Sequence, residues 1–231
     1  MKISTPEYNN IYEGDCIEIM QSWEDNCIDH CIVDPPFNMS KKNGLGWAFS
    51  SHVTMQEEWD QFPRKVFIEF CKTWIKEVMR VVKPNGNIFI FGTYHNIYDI
   101  GFILNEFDLK IINSIIWFKP NAQPNITCRM LTESTEQLIW ACNNPTKKAK
   151  NWIFNYETAK KFNNGKQLRN FWSIPYTPKS EKIFGKHPTQ KPIDLITRLI
   201  LIASKPKDII LDCFAGSGTL GVVAQSFNMW Y

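Results

Sequence analysis

Four consecutive residues, Asp34-Pro35-Pro36-Phe37, carry the most specific chemistry in this chain. They end a short apolar run, His30-Cys31-Ile32-Val33, of the kind that forms a buried parallel strand. Open α/β sheets bind ligands at the carboxyl ends of their strands, so a carboxylate, two prolines of fixed φ and an aromatic ring stand where a site is expected. Asp34 can accept a hydrogen bond from an amine, the Pro35 carbonyl can accept its second N–H, and Phe37 offers a flat face to a planar ring. The set suits an aromatic amine. A proline-rich turn closing a strand is the bland alternative.

Three other stretches could hold a ligand. Asp208 to Cys213 reads as a strand and is followed by Phe214-Ala215-Gly216-Ser217-Gly218-Thr219, where two glycines permit a tight turn and close approach of a bound group. Gly216-x-Gly218-x-x-Gly221 formally matches a dinucleotide-binding turn, but the acid that accompanies such a turn would fall past Tyr231. His187-Pro188-Thr189-Gln190-Lys191-Pro192 leads into an apolar-striped helix and sets Lys191 beside a helix N-terminus, which favours an anion; a capped helix start explains the same residues. Ile11 to Asp15 reads as a short strand ending in a Gly-Asp turn, with Asp15 either facing the crevice or capping the helix that begins at Cys16.

The elements that position these residues alternate between strand and helix. A long aperiodic loop runs from Asn38 to about Phe62, and apolar residues at helical spacing follow from Val66 to Val82, stopped by Lys83-Pro84-Asn85-Gly86. Strands are expected over Asn87–Gly92, Leu109–Trp117 and Glu136–Ala141, with a helix near residues 95–106 and others over 193–202 and 219–227. This order predicts an α/β fold: a mostly parallel sheet with helices on both faces.

At 231 residues, 44% hydrophobic and 21% charged, the chain suits one globular α/β domain with a small insertion. No apolar run approaches the roughly 18 residues that cross a bilayer, and Met1 to Pro6 lacks an apolar signal core, so a cytoplasmic protein without membrane contact is expected. The seven cysteines include no Cys-x-x-Cys pair and read as small core hydrophobes. Cys27, His30 and Cys31 come closest to a metal cluster, but a strand sends neighbours to opposite faces, and no metal is expected. Between Asn143 and Lys186 ten cationic side chains face two acidic ones, a local +8 that leaves −5 for the remainder of a chain whose formal charge is +3. Aromatic residues from Trp152 to Phe184 are interleaved with these charges, a mixture that suits phosphates and bases or, alternatively, a solvated insertion whose rings pack on one another.

Together these motifs resemble the S-adenosylmethionine-dependent amino-methyltransferases of DNA, the N6-adenine/N4-cytosine family. Asp34-Pro35-Pro36-Phe37 is similar to that family's catalytic Asp-Pro-Pro-Tyr/Phe motif, and Phe214 to Thr219 to its Phe-x-Gly-x-Gly-Thr cofactor motif. His187 to Pro192 is similar to the segment preceding the cofactor strand. The order, catalytic motif first, then a basic segment, then the cofactor motif, resembles the circularly permuted β class and spans nearly the whole chain. The resemblance implies a Rossmann-like methyltransferase sheet divided into a catalytic part (1–142), a basic target-recognition segment (143–186) and a cofactor-binding part (187–231).

By the same resemblance, Asp34, Pro35 and Pro36 hold the target amine and Phe37 stacks on its ring. Asp15 and Cys16 meet the adenine of S-adenosylmethionine, Asp34, Asp212, Phe214, Gly216, Ser217, Gly218 and Thr219 line the cofactor, and Thr189 and Lys191 lie near its carboxylate. Lys41, Lys42, Lys147, Lys148, Lys160, Lys161 and Arg169 would touch double-stranded DNA, whose target nucleotide must be flipped out of the stack. Asp at the first motif position favours adenine N6 over cytosine N4 within the family. A restriction-modification setting, a cognate endonuclease and a homodimer are the implied partners. Family members continue from the cofactor helix into a strand with an acid for the ribose hydroxyls and another helix. Here Tyr231 stands where that strand should begin, which predicts a C-terminally short unit with the outer edge of the cofactor strand uncovered.

Competing readings remain in other classes. A nicotinamide-dependent oxidoreductase would use the glycine turn but leaves Asp34-Pro35-Pro36-Phe37 and the basic segment unexplained. A nucleic-acid-binding module without catalysis would hold DNA in the absence of S-adenosylmethionine. RNA or protein as methyl acceptor is a further alternative.

Overall fold

A computed structural model describes residues 4–38, 62–146, 149–183, 187 and 189–231. The strands are β1 (His30–Val33), β2 (Asn87–Gly92), β3 (Lys110–Phe118), β4 (Thr135–Cys142), β5 (Phe171–Ser173) and β6 (Ile210–Leu211). The helices are α1 (Cys16–Gln21), α2 (Arg64–Val81), α3 (Ile97–Glu106), α4 (Tyr156–Lys161), α5 (Ile193–Ala203) and α6 (Thr219–Ser226). One sheet holds all six described strands in the order β5-β3-β4-β2-β1-β6. Five of the six run in one direction; only β4 is reversed, antiparallel to both β2 and β3. β3 and β4 are consecutive and need no crossover helix, so an antiparallel return is open to them.

Alternation along the strands explains the layers. Cys31, Val33, Ile88, Ile90, Ile139 and Ala141 face one core with Phe67, Trp74, Val78 and Ile100 of α2 and α3. Ile32, Phe89, Phe91, Leu138 and Trp140 face a second core with Leu195, Leu199, Leu220 and Val223 of α5 and α6. A period of two on the strands meets a period of 3.6 on helices such as α2, whose buried residues are Phe67, Cys71, Trp74, Ile75, Val78 and Val81. Among the described residues no helix is long and apolar enough to cross a membrane.

The structure corrects the sequence expectation in three places. Residues 11–13 form no strand, and Asp15 is the N-cap of α1, accepting from Ile17 N at 2.8 Å and Glu18 N at 3.2 Å. The basic segment contains a strand that was not expected there: β5 joins the sheet beside β3, and Trp172, Ile174 and Ala159 are buried in the second core. The outer edge of β6 is not bare. Trp230 pairs with it through Ile210 N to Trp230 O at 2.8 Å and Trp230 N to Asp208 O at 3.0 Å, while Tyr8 stacks on Trp230 at 4.9 Å.

The pairing of β1 with β6 is locked by buried polar groups. His30 Nε2 lies 3.0 Å from Asp208 Oδ2, and His30 Nδ1 accepts from Asn87 N at 3.0 Å, so the proton sits on Nε2 and is donated to the carboxylate. Burial pushes the Asp208 carboxyl up, but the His30 hydrogen bond and the Lys205 N–H hold it below its usual value. Asn87 is fully used: Nδ2 donates to Ile153 O and Ala203 O, and Oδ1 accepts from Trp140 Nε1 at 2.8 Å. Asp208→Ala should lower the unfolding free energy by about 3 kcal/mol, because it leaves a buried imidazole N–H without an acceptor. Urea unfolding checks this, and a loss below about 1 kcal/mol would remove the pair from the account of how β6 is held.

Candidate active site

The crevice forms where β1 and β6 end side by side, with chain connections leaving to opposite sides of the sheet. Asp34 follows β1 directly and Asp212 follows β6, so parallel pairing brings two carboxylates together from opposite ends of the chain. Asp34 keeps 24% of its side chain exposed, yet its Oδ1 is buried and has no hydrogen-bond partner. Its Oδ2 lies 2.5 Å from Lys191 Nζ. Burial pushes the Asp34 carboxyl up to about 6, with Lys191 opposing the shift and Glu136 adding to it. Asp212 is pushed up to about 7 by burial and by the charge of Asp34, against the Phe214 N–H donated to its Oδ1. Two carboxylates sharing one lysine in a buried crevice form a donor set that favours a further positive charge.

The glycine turn behaves as its sequence suggests. Gly216 and Gly218 have φ of +51° and +72°, a region that side chains resist, and Gly218 caps the start of α6. Gly221 allows Tyr231 to lie against the helix: a Cβ there would meet the ring at 2.9 Å. Two cavities meet at Asp212 and Ser217. The larger, about 320 Å³, runs between the glycine turn and the N-terminal segment, lined by Tyr8, Tyr12, Gly14, Cys16 and Tyr231 among others. The smaller, about 40 Å³, contains Asp34, Thr189, Lys191, Phe214, Gly216 and Thr219. Together they suit a ligand with an extended apolar part in one cavity and a cationic centre near the carboxylates.

The sequence-predicted residues divide accordingly. Asp34, Thr189, Lys191, Asp212, Phe214, Gly216, Ser217, Gly218, Thr219 and Cys16 all line one cavity or the other. Asp15 is occupied as a cap, while its neighbours Gly14 and Cys16 reach the larger cavity. Cys16 also contacts Cys213, and that contact together with burial keeps its thiol protonated. Lys191 does not point to open space: its ammonium is buried against Asp34 and Glu136 and lies 5.4 Å from the centre of the Phe37 ring. Pro35 and Pro36 are buried, and Phe37 packs against the second core. Asn38 forms paired hydrogen bonds with Phe62, at 3.0 and 2.7 Å, and the long loop expected between them lies outside the described residues. Lys41, Lys42, Lys147 and Lys148 lie outside the described residues. Lys160 pairs with Glu157 at 2.7 Å, and Lys161 and Arg169 are exposed.

Sequence reasoning missed Glu136 and Lys119, which flank the ends of β4 and β3 and stand 3.1 Å apart behind Lys191. Their only signal was a charge at the end of each apolar strand. It also missed Tyr8, Tyr12 and Tyr231 as cavity walls, which come together from the two ends of the chain.

The sequence profile of the DNA methylase family matches residues 28–231 of this chain. The chain belongs to the DNA methylase family. It is 42% identical over 224 residues to the Type II methyltransferase M2.MboI of Moraxella bovis, covering 96% of this methylase and 81% of the relative. The Type II methyltransferase M2.DpnII of Streptococcus pneumoniae is 39% identical over 231 residues, covering 96% and 84%. The crystal structure of an M1.HpyAVI–SAM complex superposes with a TM-score of 0.64 at 28% identity, covering 99% of this methylase and 89% of that chain. The cytosine-N4-specific PvuII DNA methyltransferase shares the fold, with a TM-score of 0.70 at 18% identity over 94% of this chain and 78% of its own.

The raised carboxyl of Asp212 has a measurable consequence. Its folded value, about 7, lies above the reference 3.8. Ionising it in the folded state therefore costs stability that is fully felt above about pH 7 and vanishes as pH falls to the unfolded value. Asp212→Asn, whose side-chain oxygen can still accept the Phe214 N–H, should raise Tm at about pH 8 and give no gain at about pH 4. Calorimetry at the two pH values checks this, and an equal gain at both would show that ionisation is not the cause.

Proposed function

We propose that this methylase is a site-specific DNA methyltransferase that transfers the methyl group of S-adenosylmethionine to the N6 amine of a flipped-out adenine. The observation that carries the reading is the Asp34 carboxylate at the end of β1, one oxygen tied to Lys191 and the other buried without a partner. An amine N–H is the group that this oxygen lacks. Asp rather than Ser at this position supports adenine over cytosine, by analogy within the family. The names of the two relatives, Type II methyltransferases, support a restriction-modification setting; a cytoplasmic location, a cognate endonuclease and a homodimer belong to the same reading.

The residues fit the cofactor. Two carboxylates above their usual range face the crevice, and the glycine turn and larger cavity leave room for an extended group. S-adenosylmethionine, when bound, supplies a methyl group on a positively charged sulfur. Asp34, Asp212, Thr189 and the backbone around Gly216 and Gly218 would hold its methionine part, and Gly14, Cys16 and the aromatic residues of the larger cavity its adenosine. Asp34 Oδ1 and the Pro35 carbonyl accept the two N–H groups of the target amine, drawing its lone pair out of conjugation and fixing it for in-line attack. As the new bond forms the amine nitrogen becomes cationic, and Asp34 Oδ1, ionised above about pH 6, holds the departing proton. Phe37 steadies the planar base, and Pro35 and Pro36 keep the loop from yielding.

Residues 143–186 are the target-recognition segment in this reading. Lys147, Lys148, Lys160, Lys161 and Arg169, with Lys41 and Lys42, would contact phosphates, and the rings of Phe154, Tyr156 and Phe171 are exposed. Affinity for DNA should then fall steeply with salt. Reversing charge at Lys147, Lys148, Lys160 and Lys161 should weaken all sequences alike and flatten the salt slope by about 0.9 per lost phosphate contact. Fluorescence anisotropy checks this; an unchanged slope would return the segment to a solvated face.

Asp34→Ala is expected to reduce methyl transfer at saturating cofactor by about a hundredfold or more, a loss beyond any weakening of cofactor binding. In the unsubstituted enzyme, kcat/KM should decline as pH falls through about 6, because protonated Asp34 no longer accepts from the amine. Incubating the chain with S-adenosylmethionine and mixed-sequence DNA, followed by mass spectrometry of nucleosides, tests the whole reading. N6-methyladenine is expected. N4-methylcytosine as the product would overturn the adenine assignment, and DNA binding without the cofactor or any methylated base would favour a non-catalytic module.

A further inference from the structure

The charges behind Asp34 continue away from the crevice. Lys191 Nζ stands 2.5 Å from Asp34 Oδ2 and 3.4 Å from Glu136 Oε2. Glu136 Oε1 in turn accepts from Lys119 Nζ at 3.1 Å. Lys119, Glu136 and Lys191 are nearly shut off from water, with side-chain exposures of 4%, 13% and 7%. The Lys119 ammonium lies 5.2 Å from the Trp117 ring and 4.9 Å from Tyr176, which fixes the far end of the chain of charges. An alternating series, carboxylate, ammonium, carboxylate, ammonium, thus runs from the end of β1 to the ends of β4 and β3. Buried ion pairs are expensive and are often replaced by apolar packing without loss of stability. A four-membered series opening on a catalytic carboxylate therefore calls for a reason beyond stability.

Resting on the methyltransferase reading of the site, we infer that Glu136 and Lys119 are positioning residues that, through Lys191, fix which oxygen Asp34 presents to the target amine. A lysine ammonium is a compact charge with three donors on a flexible stem, and facing Asp34 alone it could straddle both oxygens. Glu136 pulls it from the opposite side, so it meets Oδ2 and leaves Oδ1 for the amine. Glu136 would draw Lys191 away altogether if its own charge were not shared with Lys119. Burial would pull the Lys191 ammonium down, but Asp34 and Glu136 hold it above its usual value; burial would push Glu136 up, but Lys191 and Lys119 hold it below. The charged groups facing Asp34 are therefore Lys191 from the turn before α5, Glu136 from β4 and Asp212 from the end of β6.

The two residues act on Asp34 in opposite senses, which makes the inference testable. Without Glu136, Lys191 belongs wholly to Asp34 and a neighbouring negative charge is gone; without Lys119, Glu136 takes a larger share of Lys191. Carbon-13 NMR of the full chain labelled at aspartate carboxyls reads this directly, the Asp34 signal being assigned by its loss in Asp34→Asn. Glu136→Gln should make Asp34 more acidic by about tenfold or more and lower kcat by about tenfold with KM for the cofactor little changed; Lys119→Met should make Asp34 less acidic. Unmoved titrations, shifts of the same sign in both variants, or expected shifts with unchanged kcat would overturn the inference. Should Glu136→Gln fail to fold, the sign of the Lys119→Met shift decides alone. Because the titration needs no turnover, an unsubstituted chain that methylates no DNA would overturn the functional reading separately.

Discussion

The parallel pairing of β1 with β6 is the contact on which the site depends. It joins His30 to Asp208 across 178 positions of sequence, and it sets Asp34 and Asp212 at adjacent strand ends. Neither residue makes a crevice by itself. The lock is polar: an imidazole with one donor and one acceptor, both used, and an asparagine whose side chain ties β2 to β4, to α5 and to Ile153 ahead of α4. A buried polar network fully satisfied in this way specifies one register, because any slip would strand several groups at once.

From that constraint follows the electrostatic character of the crevice. Two carboxylates are forced together where solvation is poor, and a single lysine compensates them incompletely. Such a site is less comfortable empty of cations than filled, and the strain is local: the two cores above and below the sheet are continuous and apolar. Binding of a cationic ligand would be favoured by the same charges that disfavour the ligand-free state, so affinity and preorganisation have one origin.

The basic segment shows how a chain can be both structural and available. β5 extends the sheet, and Trp172, Ile174 and Ala159 anchor it in the second core, while the Arg198 guanidinium lies about midway over Phe162 at 5.0 Å and Trp172 at 5.1 Å. Among its described residues Lys150, Lys161, Lys166, Arg169 and Lys179 and the rings of Phe154, Tyr156 and Phe171 stay exposed. Packed aromatics and exposed charge therefore belong to different residues of the same stretch.

Much of this was legible from the chain alone. Short apolar runs located β1, β2, β3 and β4, and apolar residues at helical spacing located α2 and α5, to within a few residues. The placement of Asp34 and of the Gly216 to Thr219 turn at the crevice was legible because its causes are local: a carboxylate directly after a strand, glycines at positive φ. The strand expected at 11–13 is absent: Ile11 N is taken by the Asn10 side chain and the Tyr12 ring packs against Trp23. β5, three residues long with only its central one buried, has too short a pattern to read and exists because β3 offers an edge. What only the tertiary structure decided is which charges meet. Lys191, read as lying near the cofactor's carboxylate, is held within the protein by Asp34 and Glu136, and Glu136 by Lys119. The sequence determined the donors and acceptors and most of the elements that carry them. The fold decided their partners, because partnership between buried charges is set by distances across the sheet that spacing along the chain does not encode.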